Sequence, residues 1–171
     1  MMRPLATQAP QFIDPWNFAQ GRKTLCATLP LCDTQEVKQW VKKDDVVSFH
    51  IKGMIDEYRQ PHLMGSFALT LTLQCQRCLN AMQWPLEHEF DYVLIRDETQ
   101  EDKVEGNSET LICTENTMDL VWFLEEEILL AMPMIAKHDN CLPPAHVNEK
   151  LPSSEHPFAA LKEMMKSKEQ P

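Results

Sequence analysis

The sequence predicts an α+β fold: an antiparallel β meander with a long hairpin, packed by one amphipathic helix, with short N- and C-terminal helices. Two observations predict it. From Leu63 to Leu94 apolar residues alternate through two long runs that meet at Cys75-Gln76-Arg77-Cys78. Side chains in a strand repeat every two residues, so these runs read as two half-buried strands with a Cys-x-x-Cys at their tip. From Asp119 the period changes: Leu120, Phe123, Leu124, Ile128 and Ala131 recur at helical spacing, and Pro133 ends the run.

The elements follow in order. Residues 1–12 are short, Pro-containing and aperiodic, and are expected to form a flexible N-terminus. Asp14 can cap a helix whose first position is Pro15, where the missing N–H costs nothing, and Gly21 stops it. Thr24–Leu29 has strand character. Asp33, with Glu36 three residues on, reads as a capping box for a second short helix through Val37, Trp40 and Val41. Val47, Phe49 and Ile51 alternate with polar neighbours in a strand that Gly53 is expected to weaken or bulge. Short links then lead into the hairpin, as in a meander with one apolar face.

On one face of the incoming run lie Leu63, Gly65, Phe67, Leu69, Leu71, Leu73 and Cys75; on the outgoing run, Met82, Trp84, Leu86, His88, Phe90, Tyr92 and Leu94 share a face. Residues 97–110 lose the pattern, with six acids and one lysine among residues 97–109, and are expected to be a flexible acidic loop. Leu111-Ile112-Cys113 can return as an edge strand. The helix after Asp119 should lie across the open face of the meander. Residues 13–135 thus form a single α+β domain. Residues 136–171 read as an extended segment ending in a short helix, with Phe158, Leu161 and Met165 on one side to dock on its own domain or on a partner.

Charge narrows the function. The net charge is −10, yet residues 1–96 carry 10 Lys/Arg and 10 Asp/Glu, and residues 97–171 carry 6 and 16. An acidic half suits a basic protein partner, because phosphate backbones are bound by Lys and Arg. RNA contact would fall to a local patch on the neutral half. No apolar run approaches the roughly 20 residues of a membrane span, and the start lacks a signal-peptide block. The expectation is a cytoplasmic protein whose six cysteines stay reduced.

Cys75-x-x-Cys78 at a hairpin tip reads as half of a zinc clip, and His138-Asp139-Asn140-Cys141 beyond the helix as the other half. Joined, the four would staple the sheet to the C-terminal segment. Two features speak against it: Leu79 stands where a knuckle prefers glycine for positive φ, and the second half is His-x-x-Cys. A thioredoxin-like pair wants a helix after its nucleophile, whereas Cys78 runs into a strand. The bland reading is a turn with incidental thiols. Lys38, Lys42 and Lys43 form a basic side of the short helix, as a solvated face or a contact surface. Glu125 and Glu126 project from the apolar stripe and read as solvated rather than as paired catalytic acids. No phosphate-cradling Gly loop, Gly-x-Ser-x-Gly or His-Glu-x-x-His occurs, so no enzyme is expected and no small-molecule substrate.

Leu71-Thr72-Leu73-Gln74-Cys75-Gln76-Arg77-Cys78, followed by Glu125-Glu126-Glu127-Ile128-Leu129-Leu130-Ala131-Met132-Pro133, resembles the bacterial YceD family of large ribosomal RNA subunit accumulation proteins. Ile13-Asp14-Pro15 with Ala19-Gln20, and Pro157-Phe158-Ala159-Ala160-Leu161, agree in order. The resemblance implies a non-enzymatic factor in synthesis, processing or stability of 23S rRNA and in large ribosomal subunit assembly. The implied partner is 23S rRNA or pre-rRNA, reached directly through residues such as Arg77, Lys38, Lys42 and Lys43 or through a basic large-subunit ribosomal protein. Some relatives hold more cysteines after the helix; this chain keeps Cys141, with His138 nearby. The competing reading is a zinc-stapled protein-interaction module with no RNA role.

Overall fold

A computed structural model describes residues 7–31, 34–42, 44–106 and 108–144. The expected C-terminal docking helix over His156–Met165, the Asp33 cap and Lys43 lie outside the described residues.

The centre is the predicted hairpin: β5 (Pro61–Gln74) pairs antiparallel with β6 (Ala81–Ile95), with Gly65 opposite Phe90 and Leu71 opposite Trp84. Around it the strands β1 (Thr7–Gln8), β3 (Thr24–Pro30), β4 (Val46–Ile55) and β7 (Glu109–Ile112) complete a six-stranded sheet of order β1-β3-β4-β5-β6-β7. The four central strands are the antiparallel meander. The two outermost strands, β1 and β7, run parallel to their neighbours. Parallel neighbours need a crossover, and the acidic stretch supplies one: it carries a 3-10 helix, Glu98–Lys103, before β7 begins. Residues 7–12, which fall in the stretch expected to be flexible, contribute β1 and, with Ile13, β2 (Phe12–Ile13), and β2 pairs with β8 (Met118–Asp119) in a separate two-stranded ribbon.

One face of the sheet is covered. Leu63, Phe67, Leu69, Leu71, Leu73, Met82, Leu86, Phe90 and Leu94 are buried there, as their alternation predicts. Helix α2 (Leu120–Ala131) lies over them with Leu120, Phe123, Leu124 and Ile128 inward. The Phe123 ring meets Phe90 edge-on at 5.2 Å. Asp119 caps α2 by accepting from the N–H groups of Val121 and Trp122.

Helix α1 (Pro15–Gln20) starts at Asp14, which accepts from Asn17 N, and packs on β4. Gly53 sits beneath it without a bulge, since the β4–β5 register runs unbroken from Ser48 to Ile55. The reason for glycine is close approach: a Cβ there would stand 2.2 Å from the Phe18 carbonyl oxygen. Gly65 has a matching role, because a Cβ would meet the Phe90 ring at 2.6 Å.

The predicted second helix is a 3-10 turn, Val37–Trp40, and Glu36 makes no side-chain cap there. Its leading amides are capped from α2 instead. Glu125, expected on a solvated face, is only 5% exposed, and its carboxylate accepts from the N–H groups of Gln35, Glu36 and Val37 at 2.6–3.1 Å. A helical wheel places Glu125 off the apolar stripe, but the space beside that stripe is filled by unpaired amides rather than water. Glu126 is exposed as expected. Glu127 is buried too, accepting from the Tyr92 hydroxyl at 2.9 Å, with His88 Nε2 3.5 Å from its other oxygen. Burial pushes its carboxyl up, and Tyr92 and His88 offset only part of that.

Candidate metal centre

The hairpin tip is a tight turn in which Cys75 N donates to Asn80 O and Leu79 N donates to Cys75 O. These bonds curl residues 75–79 so that successive amides point inward at the Cys75 sulfur. Leu79 holds the left-handed conformation at φ 62°, the position where the sequence argued for glycine. A non-glycine residue there costs about 1–2 kcal/mol. Its side chain is largely exposed, so little packing is at stake. Leu79→Gly is therefore expected to stabilise the fold by about 1 kcal/mol, read as a higher denaturant midpoint; a lower midpoint would show that Leu79 packs usefully.

After α2 the chain doubles back to this tip. Ala136 is buried, and its carbonyl accepts from Gln76 N at 2.8 Å. That bond sets His138 and Cys141 against the turn. The four donor atoms of Cys75, Cys78, His138 and Cys141 all lie within 4.8 Å of one another. Cys75 Sγ is 3.6 Å from Cys141 Sγ, and Cys78 Sγ is 3.4 Å from His138 Nδ1. Four ligands around a tetrahedral zinc at ordinary bond lengths stand about 3.8 Å apart sulfur to sulfur and about 3.5 Å sulfur to nitrogen. The Cys3His group could hold a metal ion.

The electrostatics point the same way. Cys75 is fully buried, which alone would push its thiol up. Amides of Cys78, His138 and Arg77 and the neighbouring Cys78 thiol outweigh burial and bring it down to about 5. The Arg77 and His138 N–H groups donate to its sulfur at 3.4 Å each. The amide of Asn80 favours the Cys78 thiolate, yet burial and the adjacent Cys75 and Cys141 sulfurs leave that thiol raised. One thiolate forms readily and the next resists, because a second negative charge beside the first is disfavoured. A divalent ion would relieve that repulsion.

Arg77 was singled out in the sequence as a contact residue. Its guanidinium is turned inward, donating from Nε to Cys141 Sγ at 3.0 Å and from Nη2 to the carbonyls of Asp139, at 3.0 Å, and His138. It clamps the His138–Cys141 loop onto the tip, and the Cys141 contact holds the guanidinium charged. Lys38 and Lys42 are exposed, on and just after the 3-10 turn Val37–Trp40, so the structure does not bring them together with Arg77 on one element. Sequence reasoning assembled the four donors but missed the clamp. The signal was present in the position of Arg77 between two thiols, where five N–H donors can reach both halves of the site.

Residues 63–165, more than half of the chain, match the family described as "Large ribosomal RNA subunit accumulation protein YceD". This chain belongs to the YceD family. The match takes in the hairpin, α2 and both halves of the Cys3His group. A Haemophilus influenzae protein named Large ribosomal RNA subunit accumulation protein YceD is 28% identical to this YceD chain over 116 residues, spanning 63% of this chain and 67% of that protein. No solved structure matches the chain. Among the described residues of this family member, no helix is long and apolar enough to cross a membrane.

Proposed function

We propose that this chain supports the synthesis, processing or stability of 23S rRNA, and with it large ribosomal subunit assembly, by binding rather than by catalysis. Membership of the YceD family is the observation that carries this reading. Cys75, Cys78, His138 and Cys141 hold one zinc ion in it, and the ion supplies a four-point crosslink between the hairpin tip and the segment after α2. The site works as a structural staple.

The protein acts in the cytoplasm, and its partner is reached through a basic large-subunit ribosomal protein. Two observations favour that route over direct rRNA contact. The net charge of −10 opposes a phosphate backbone. Arg77, the cation at the hairpin tip, is already engaged by Cys141 and two carbonyls, leaving direct contact to Lys38, Lys42 and Lys43.

The test is rRNA and subunit profiling in a strain lacking this protein. The expected result is a reduced 23S-to-16S ratio and a smaller large-subunit peak, both restored by the wild-type gene. Unchanged 23S rRNA and normal large subunits would remove this reading, leaving the zinc-stapled interaction module.

A further inference from the structure

We propose that the open edge of β6 takes up an extended, lysine- or arginine-rich segment of a protein partner as an additional β-strand. The proposal rests on the reading above that the partner is a basic protein, and it names the surface and the mode.

The first ground is an unpaired backbone. β6 runs for 15 residues, but β7 covers its outer side only from Tyr92 to Ile95. From Ala81 to Asp91 no other strand pairs with that side among the described residues. Which groups point outward follows from parity. Cys113 N donates to Ile95 O at 2.8 Å, so the odd-numbered residues turn their N–H and C=O to this edge. The β5–β6 register is continuous from Gln74 opposite Ala81 to His62 opposite Val93, which carries the parity down the strand. Among the described residues, Gln83, Glu87 and Glu89 therefore offer donors and acceptors that no strand takes up, and Pro85 lacks its donor where no described strand needs it.

The second ground is charge. The same odd residues place their side chains on the uncovered face of the sheet, where Glu87 and Glu89 are exposed and have no cation in ion-pair distance among the described residues. Their cross-strand neighbours Ala68 and Ser66 are short, so the two carboxylates stand clear of the sheet surface. Alternate side chains on a strand are about 6.8 Å apart, so Lys or Arg at alternate positions of an added strand would meet both acids.

Proline and charge ordinarily guard an edge strand against pairing. A cationic strand is the class for which that guard becomes an attraction. A second copy of this chain would set carboxylates against carboxylates across the new pair. RNA would bring phosphates to the same acids.

The test uses the full chain and three roughly ten-residue peptides: alternating Lys-Thr, alternating Glu-Thr, and Lys-Thr with alternate amides N-methylated so that charge stays and ladder donors go. Fluorescence anisotropy should show binding of the first peptide only. Hydrogen exchange at the amides of Glu87 and Glu89 should slow when it binds. Reversal of both charges (E87K with E89K) should weaken binding about tenfold or more, since truncating or reversing complementary charges commonly costs that much. Equal binding of the N-methylated peptide would overturn the proposal, leaving charge attraction without strand pairing. Protection of Glu87 and Glu89 before any peptide is added would also overturn it, since a second copy or another segment of this chain would then hold the edge. Because these measurements need no ribosome, their failure alongside a 23S rRNA defect in the deletion strain would sink the edge and spare the function.

Discussion

Cys75→Ser is expected to reduce bound zinc from about one per chain to none in protein purified without chelator. Serine keeps the volume but not the thiolate, and Cys75 accepts the N–H groups of Arg77 and His138 as well as facing Cys141. The fold should survive, because the core between the sheet and α2 does not depend on the tip. What is lost is a crosslink between residues 78 and 138. Crosslinks closing loops of that order stabilise by about 4 kcal/mol in the chain-entropy picture. For a chain of this size the loss corresponds to a drop of roughly 10 °C in melting temperature. Chelator should lower the melting temperature of the wild type to that of the variant and leave the variant unmoved. A wild type that purifies without zinc and ignores chelator would dispose of the staple.

The second large effect is expected away from the tip. Glu125→Ala removes the carboxylate that accepts from three backbone amides of residues 35–37 and leaves those donors in a space made for oxygen. Hydrogen bonds to a charged group contribute about 1.5–3 kcal/mol each, and they share one carboxylate, so a loss of about 3–5 kcal/mol is expected. Burial pushes the Glu125 carboxyl up, but the amides of Val37, Glu36 and Gln35, with Lys38 nearby, outweigh it and hold it below its ordinary 4.5. A carboxylate with a depressed folded value contributes stability that is present above 4.5 and fades as pH falls through the folded value. The gap between wild type and Glu125→Gln should therefore be widest near neutrality and narrow as the pH drops below 4.5. Urea midpoints at several pH values measure it. A constant gap would show that the amides are satisfied by something other than the charge.

Glu125 also marks where sequence reading stopped. The hairpin, its inward face and α2 were legible, since period-2 and period-3.6 patterns follow directly from which side chains must leave water. The four donors were legible through their two matching gaps. The edge strand β7 was legible from Leu111 and Ile112, but its parallel direction and the strand β1 were not, because two to four residues carry no pattern that distinguishes parallel from antiparallel pairing. Leu79 argued against a metal knuckle, yet the turn takes positive φ with leucine, where the surrounding hydrogen bonds fix the backbone. Glu125 was misplaced because periodicity records only which positions avoid the apolar stripe. It is silent on whether water or another segment's amides lie there.

The continuous β5–β6 ladder has a consequence for assembly of the fold. Thirteen residue pairs lie between His62 and Gln74, and a slip of one residue would turn every one of their side chains to the opposite face. The tip would then carry Cys75 away from His138 and Cys141. Under the proposed zinc staple, metal capture would act as a parity check on the hairpin: a chain paired one residue out of step would fail to close its four ligands, and its thiols would remain open to alkylation. Chains that had closed would be the ones that paired correctly.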